Sequence, residues 1–235
     1  MTRQSGRLAY VLSTVVTVLM ALQAGVGLAA PAIYRDAEWV KAVWFGNDVV
    51  TLTVAVPLLA GALVFARRGS VRAALVWLAM LGYAVYNYAY YLFGARMNAH
   101  FPVYVVLLVL PVLTLVLMLG TYDAGALARG FSARTPVRVV AAYMAITGLG
   151  LAVAWLAQWA GLVFGGIEPA IGEEAFSLIA SLDLSLIVPY FLIGAILLWR
   201  RRPWGYLLGA IMCLKGATYT LVLTAASLVS ATRGF

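Results

Sequence analysis

Charged residues, histidine and cysteine are scarce in this sequence, and each scarcity excludes a class of protein. Only 10% of the 235 residues are charged and 65% are hydrophobic, whereas a soluble domain carries about 25% charged residues. The composition therefore excludes a soluble globular domain, a disordered chain and a nucleic-acid-binding module. One cysteine, Cys213, and one histidine, His100, argue against an intrachain disulfide, a thiolate cluster and a histidine-based metal or haem centre.

Long hydrophobic runs are abundant, and seven of them are long enough to cross a membrane. A span needs about 20 apolar residues, and it must be helical because lipid cannot satisfy an open backbone. The sequence therefore predicts an all-α membrane protein with seven transmembrane helices, in which residues 1–235 form a single transmembrane domain. The predicted helices cover residues 8–30, 48–66, 71–94, 102–120, 137–164, 176–199 and 203–230.

Basic residues are divided unequally between two sets of loops, and this division predicts the orientation of the chain. The loops on one side carry eleven bases and one acid, Asp123, whereas those on the other side carry four bases and six acids. We therefore expect a multi-pass protein of the cell membrane, with a cytoplasmic N-terminus and an outside C-terminus. Trp39, Trp44 and Phe45 in the first outer loop predict a segment that lies on the membrane surface.

Two parts of the chain share a sequence pattern in the same order. Residues 51–57 (TLTVAVP) match residues 183–189 (DLSLIVP), and Gln23 upstream of the first matches Gln158 upstream of the second. The matches predict a parallel 3+1+3 pseudo-repeat, in which helices one to three recur as helices five to seven; chance similarity is the alternative. Such repeats occur in transporters, whose binding site lies between them near mid-membrane. The first repeat covers 8–94, the linker helix 102–120 and the second repeat 137–230.

Two ionisable side chains lie within the predicted spans, Asp183 in helix six and Lys215 in helix seven. A charge at the centre of a span costs about 2.5–3.5 kcal/mol on insertion scales, so both residues are candidates for function. They fall at matching depth on helices joined by a short turn, and neither has a charged counterpart in the first repeat. We expect an ion pair that is either a structural lock or part of a binding or proton-coupling site.

Further polar side chains gather at the same predicted depth, in the outer half of the membrane. Helix three places Tyr83, Asn87, Tyr90 and Tyr91 on one face, although an interfacial aromatic belt is an alternative for Tyr90 and Tyr91. Asp48, together with Asn47, is expected to cap the outer end of helix two. The predicted ligand-binding or ion-pair residues are Asp183, Lys215, Asn87, Tyr83, Thr51, Tyr219, Gln158, Gln23 and Asp48.

This polar layer indicates a binding or transport protein for a small molecule or an ion, with an outward-facing pocket centred on Asp183 and Lys215. The 3+1+3 architecture resembles that of the SWEET sugar transporters. That family carries a Pro-Gln motif in the first helix of each repeat and has an outside N-terminus. In this sequence Gln23 and Gln158 lack the preceding proline, and the predicted topology is reversed. The predicted partners are membrane lipids and an unidentified small molecule or ion. The sequence is compatible with an oligomer. No catalytic residue, cofactor, metal or nucleic-acid partner is predicted.

Three other functions stay open. The first is a retinal-binding protein, because seven helices with a lysine in the seventh resemble the microbial rhodopsins, and a cytoplasmic N-terminus resembles that of the heliorhodopsins. However, Ile211 stands where those families place Asp or Ser. A lipid or isoprenoid enzyme could use Asp183 as acid or base and Lys215 to hold an anionic head group. That enzyme would lack an Asp-rich metal motif, a Ser-His-Asp set and a phosphate loop. The third alternative is a structural partner subunit.

Overall fold

The computed structural model describes residues 3–121, 123–132 and 134–232. The regular secondary structure of these residues is helical. No strand occurs within these ranges, so the predicted all-α class is confirmed for them. A 3₁₀ turn (Pro31–Ile33) and two π-helical turns (Thr51–Ala55 and Asp183–Ile187) interrupt the α-helices. The α-helices are α1 (Arg3–Ala29), α2 (Glu38–Val50), α3 (Val56–Arg67), α4 (Val71–Gly94), α5 (Phe101–Leu119), α6 (Ala124–Arg129), α7 (Val137–Gly165), α8 (Glu173–Leu182), α9 (Val188–Trp199) and α10 (Pro203–Thr232).

Six stretches of helix in the described ranges have the length and apolar composition to cross a membrane, which supports a multi-pass membrane protein. The helix α4, predicted as the third span, is 24 residues long but falls outside this set because its tyrosines and Asn87 lower its hydropathy. The seven-span count therefore stays a prediction. The six stretches are Gly6–Ala29, Glu38–Arg67, Phe101–Leu119, Val137–Gly165, Glu173–Trp199 and Pro203–Thr232.

The second apolar helix begins at Glu38 rather than at residue 48. Trp44 and Phe45 are therefore inside a helix, and Trp44 is only 1% exposed, so the predicted surface-lying segment is wrong. Asp48 lies in the middle of this continuous helix and does not cap its end, which corrects a second prediction. The sequence prediction failed because Lys41, Asn47 and Asp48 interrupt the apolar run of α2.

The two sequence-matched segments share one unusual backbone feature. Each forms a five-residue π-helical turn, followed by a twelve-residue α-helix with the matched proline, Pro57 or Pro189, in its first turn. The carbonyls of Thr51 and Asp183 each accept a bond from the amide five residues on. Proline has no N–H to give, which removes one α-helical bond in each segment. This shared turn agrees with the predicted repeat, whose full 3+1+3 arrangement stays a prediction.

The chain divides into two compact units, residues 1–122 with 213–235 and residues 123–212. In the first unit, α4 packs against α3 and α5, while α1 packs against α2, α3 and α5. A turn with Gly69 at φ +84° ends α3, and Ser70 caps α4 by accepting a hydrogen bond from the Ala73 amide. Most of the apolar and aromatic side chains of α4 are buried, so this helix forms the core of the first unit.

The second unit is built on the packing of α7 against α9. Glycines permit a close approach there: a Cβ on Gly148 would lie 3.1 Å from Phe191 Cβ, and one on Gly194 would lie 2.7 Å from Met144 Cε. Another face of α7 exposes apolar side chains along its length, among them Ile146 at 72% and Phe164 at 77%. Exposed apolar side chains of this kind are expected of a helix that contacts lipid.

Candidate functional site

The Asp48 carboxyl group is the centre of a hydrogen-bonded cluster buried inside the first unit. Asp48 is 0% exposed. Three side chains donate hydrogen bonds to it: Tyr34 Oη at 2.5 Å, Tyr91 Oη at 2.8 Å and Gln23 Nε2 at 3.1 Å. Because these donors come from the loop after α1, from α4 and from α1, the carboxyl group connects three separate parts of the unit to α2.

A second ring of hydrogen bonds completes the cluster. The amide Nε2 of Gln23 also donates to Tyr34 Oη at 3.0 Å, and Tyr88 Oη donates to Gln23 Oε1 at 3.0 Å. Both ends of the buried amide are therefore satisfied. We refer to Gln23, Tyr34, Asp48, Tyr88 and Tyr91 as the Asp48 cluster.

Aromatic rings enclose the cluster. The Tyr91 ring stacks on Trp44, with centroids 4.6 Å apart, and on Tyr104, with centroids 5.1 Å apart. His100 meets the edges of Tyr34 and Tyr104. Tyr91 is 0% exposed, so the alternative of an interfacial aromatic belt is wrong for this residue. The stacked rings limit the orientations of the phenol groups.

Gly27 makes the close approach of Tyr34 and Asp48 possible. A Cβ at this position would overlap the Asp48 carboxylate and the Tyr34 hydroxyl. Gly27 lies one turn after Gln23 on the same face of α1. This face therefore provides an amide that binds the carboxyl and, one turn on, a gap that accommodates it.

No Lys or Arg nitrogen lies within ion-pair distance of Asp48 among the side chains that the structure describes. An ionised carboxylate buried without a cation is costly, and all three donors are neutral. Tyr34 lies outside the apolar helices, and its pKa is raised by burial and then by the neighbouring Asp48 charge, so its hydroxyl stays a donor at physiological pH. Such a site suits a carboxyl group that takes up a proton or a small cation.

A cavity of about 110 Å³ adjoins the cluster. Gly27 and Tyr34, which contact Asp48, both line it, and Glu38 and Lys41 line it as well. Lys41 Nζ and Glu38 Oε1 are 2.8 Å apart. Small-molecule sites usually measure about 300–1,000 Å³, whereas this cavity has room for roughly three or four waters at about 30 Å³ each.

A second buried polar layer lies between α4 and the helix that carries Asp48. Thr51 Oγ1 and Tyr83 Oη are 2.8 Å apart, and both residues are 0% exposed. Asn87 and Asn47 are 0% and 1% exposed, and neither amide atom of either residue has a hydrogen-bond partner. The structure thus brings the predicted residues Gln23, Asp48, Thr51, Tyr83 and Asn87 into one unit.

In the second unit, Asp183 is half-buried and accepts a hydrogen bond from Trp155 Nε1 at 2.9 Å. Gln158 is exposed, and its Nε2 donates to the backbone carbonyl of Ala154 at 3.3 Å. The residue that the sequence pattern matches to Gln23 is therefore part of no buried cluster among the described residues.

Lys215 and Tyr219 lie in the first unit on α10. Lys215 is 6% exposed, and its Nζ lies 3.9 Å from the centroid of the Tyr86 ring and 5.6 Å from that of Tyr219. The two rings meet edge to face at 4.9 Å. The ammonium group therefore gains cation–π contacts. Asp183 belongs to the other unit, and its ion pair with Lys215 stays a prediction.

The sequence did not identify Tyr34, Tyr88 and Gly27 as residues of this site. Tyr34 lies in a loop, and only the fold brings its hydroxyl onto a residue of α2. Gly27 carried a weak signal, because it lies four residues after Gln23 on one helix face. No three His, Cys, Asp or Glu side chains in the described residues are arranged to hold a metal.

The chain was also compared with other proteins. Comparison with protein-family models, with curated protein sequences and with solved structures gives no match for this chain.

Proposed function

We propose that the protein is a multi-pass membrane protein that binds and moves a proton or a small cation, with Asp48 as the group that takes it up. The observation that carries the proposal is a wholly buried carboxyl group with three neutral donors and, among the described side chains, no basic partner. Ionisable side chains inside membrane proteins are typical of proton relays and ion pathways. This proposal moves the centre of the predicted polar pocket from Asp183 and Lys215 to Asp48.

The cavity beside the cluster supports a very small ligand. The cavity volume of about 110 Å³ is below the range of about 300–1,000 Å³ of small-molecule sites, whereas a hydrated proton or a cation with a few waters fits. Tyr34 lines this cavity and donates to Asp48, so its phenol is the barrier between them.

The proposal retains a cell-membrane location, seven spans and a cytoplasmic N-terminus. The bias of arginines to one set of loops supports this orientation. Asp48 lies about 28 Å along the helix from Arg67 at the arginine-rich end, so the cavity opens toward the outside. The π-turns shared by the two halves support the 3+1+3 repeat.

Electrical recordings on proteoliposomes test this function. Liposomes with the purified protein on a solid-supported membrane receive concentration jumps of H⁺, Na⁺ and K⁺ in turn. We expect a transient current for at least one of these cations, which is lost in Asp48→Asn. Asp36→Asn is the matched control, because Asp36 is a buried acid of a neighbouring loop that accepts a bond from the Arg96 amide. Its current should persist.

The contradicting results are equally definite. A current that survives in Asp48→Asn shows that Asp48 does not take up the cation. The absence of any current in the folded wild-type protein makes the cluster a structural lock, which favours the function of a structural partner subunit. Size-exclusion chromatography and thermal melting establish that each variant is folded before it is recorded.

A further inference from the structure

Asn47 and Asn87 are two buried amides whose hydrogen-bonding capacity the protein itself does not use. They are 1% and 0% exposed, and neither Nδ2 nor Oδ1 of either residue has a partner. Buried polar groups in an apolar interior are almost always hydrogen-bonded, to protein or to ordered water. Two complete amides without partners in one helix interface therefore indicate a polar guest.

Two contacts between the helices bracket these amides along both helices. On one side, Tyr91 Oη donates to the Trp44 carbonyl at 3.2 Å; on the other, Thr51 and Tyr83 are 2.8 Å apart. Asn47 lies three residues after Trp44 and four before Thr51. Asn87 lies midway between Tyr83 and Tyr91. Each asparagine therefore lies on a stretch of helix bounded by the same two contacts, and Asn87 shares a helix face with Tyr83 and Tyr91.

The unused atoms define the chemistry of the guest. Each amide offers an N–H donor and a carbonyl acceptor. A cation would satisfy only the two carbonyls, and an anion only the two amino groups. A water molecule both donates and accepts, and it typically makes about three hydrogen bonds to otherwise unsatisfied buried groups.

We propose that Asn47 and Asn87 bind an internal water, or a short chain of waters, that connects the Asp48 cluster to the Thr51–Tyr83 pair. Asn47 is adjacent to Asp48 in the chain and about 6 Å, one helical turn of four residues, from Thr51 along the axis. The inference rests on the proposed function, to which it adds a hydrogen-bonded route for the Asp48 proton deeper into the membrane.

Difference infrared spectroscopy after a pH jump, with the protein in lipid nanodiscs, tests the route. The carbonyl stretch of protonated Asp48, identified by its loss in Asp48→Asn, reports the proposed function. An O–H stretch that shifts in H₂¹⁸O reports a bound water. We expect both bands in the wild type. In Asn87→Leu we expect the water band to disappear and the carboxyl band to remain, while Gln158→Leu, which removes an exposed amide elsewhere, should leave both bands.

The outcomes separate the two proposals. A carboxyl band without a water band, or a water band that persists in both Asn87→Leu and Asn47→Leu, contradicts the water site and leaves the proposed function standing. If Asp48 never titrates, uptake of a proton at Asp48 is wrong, and the proton route through the water site is wrong with it. An X-ray structure then decides the water independently: solvent density between the two amides supports the site, and a direct Asn47–Asn87 hydrogen bond overturns it. Asn87→Ser replaces Asn87→Leu if the latter does not fold.

Discussion

The two helices that contain a π-helical turn share one backbone plan but have different chemical surroundings. In the first unit the turn begins at Thr51, which is buried and hydrogen-bonded to Tyr83, and the Asp48 cluster lies one turn before it. In the second unit the turn begins at Asp183, which is half-buried and bonded to Trp155. The matched glutamines differ in the same way, because Gln23 is buried in a cluster and Gln158 is exposed.

This difference shows which structural features an apolar sequence pattern specifies and which it does not. The shared residues, including the proline after each turn, specify a wide helical turn in both units. They do not specify a polar site, because the cluster in the first unit also needs Tyr34 from a loop and two tyrosines from α4. A matched backbone therefore carries a carboxyl cluster only where other elements provide its donors.

The largest effect on stability is expected from removal of Asp183 or its predicted partner Lys215. Asp183→Asn or Lys215→Met alone should lower the free energy of unfolding by about 3–5 kcal/mol if the two groups form a buried ion pair, because the remaining charge is uncompensated. The double variant should recover most of this loss. Denaturant titration of the four proteins in detergent measures the coupling. Additive losses show that the residues are not paired.

The matched glutamines provide the next test. Gln23→Leu leaves the hydroxyl of Tyr88 without its acceptor and removes one donor to Asp48, so it should lower the free energy of unfolding by about 2–3 kcal/mol. Gln158→Leu should change it by less than about 0.5 kcal/mol, since this side chain is exposed. Equal losses in the two variants would mean that the halves are chemically more alike than the structure indicates.

A smaller effect is expected from a methyl group placed in the cluster. Gly27→Ala inserts a Cβ against Asp48 and Tyr34 and should cost about 1–3 kcal/mol, the usual range for overpacking. Gly25→Ala is the control on the same helix, because a Cβ at that position meets nothing within 4 Å. Thermal melting should show a lower midpoint for Gly27→Ala alone. Similar midpoints for the two variants would contradict the tight contact.

The smallest effect concerns pH. Burial lowers the pKa of His100 below its ordinary value of 6.5, so the unfolded chain binds a proton more readily than the folded protein. Stability contributed by the neutral ring is therefore present above pH 6.5 and decreases as the pH falls below it. The melting midpoint should decrease between pH 7 and pH 5, and less so in His100→Gln. An equal decrease in both proteins would assign the pH dependence to other groups.

The all-α class and the long apolar helices were predictable, because a lipid solvent leaves the backbone no other structure and composition alone reports that solvent. The start of the second helix was not. Asn47 and Asp48 read as the polar end of a span, since hydropathy cannot distinguish a polar residue in a loop from one whose partners lie on other helices. The burial of Trp44 was missed for the same reason, because hydropathy does not show which other helices cover a side chain.

The sequence by itself therefore determined the helical class, the presence of long apolar helices, and a proline-linked segment that recurs, because each depends on local composition or on neighbours along one helix. Only the tertiary structure decided that Asp48 rather than Asp183 is wholly buried. It also decided that Tyr34 closes over Asp48 and that Asn47 and Asn87 are left without protein partners. Those properties depend on which distant side chains meet, as Gln23 and Tyr88 do across 65 positions, and no local pattern encodes that.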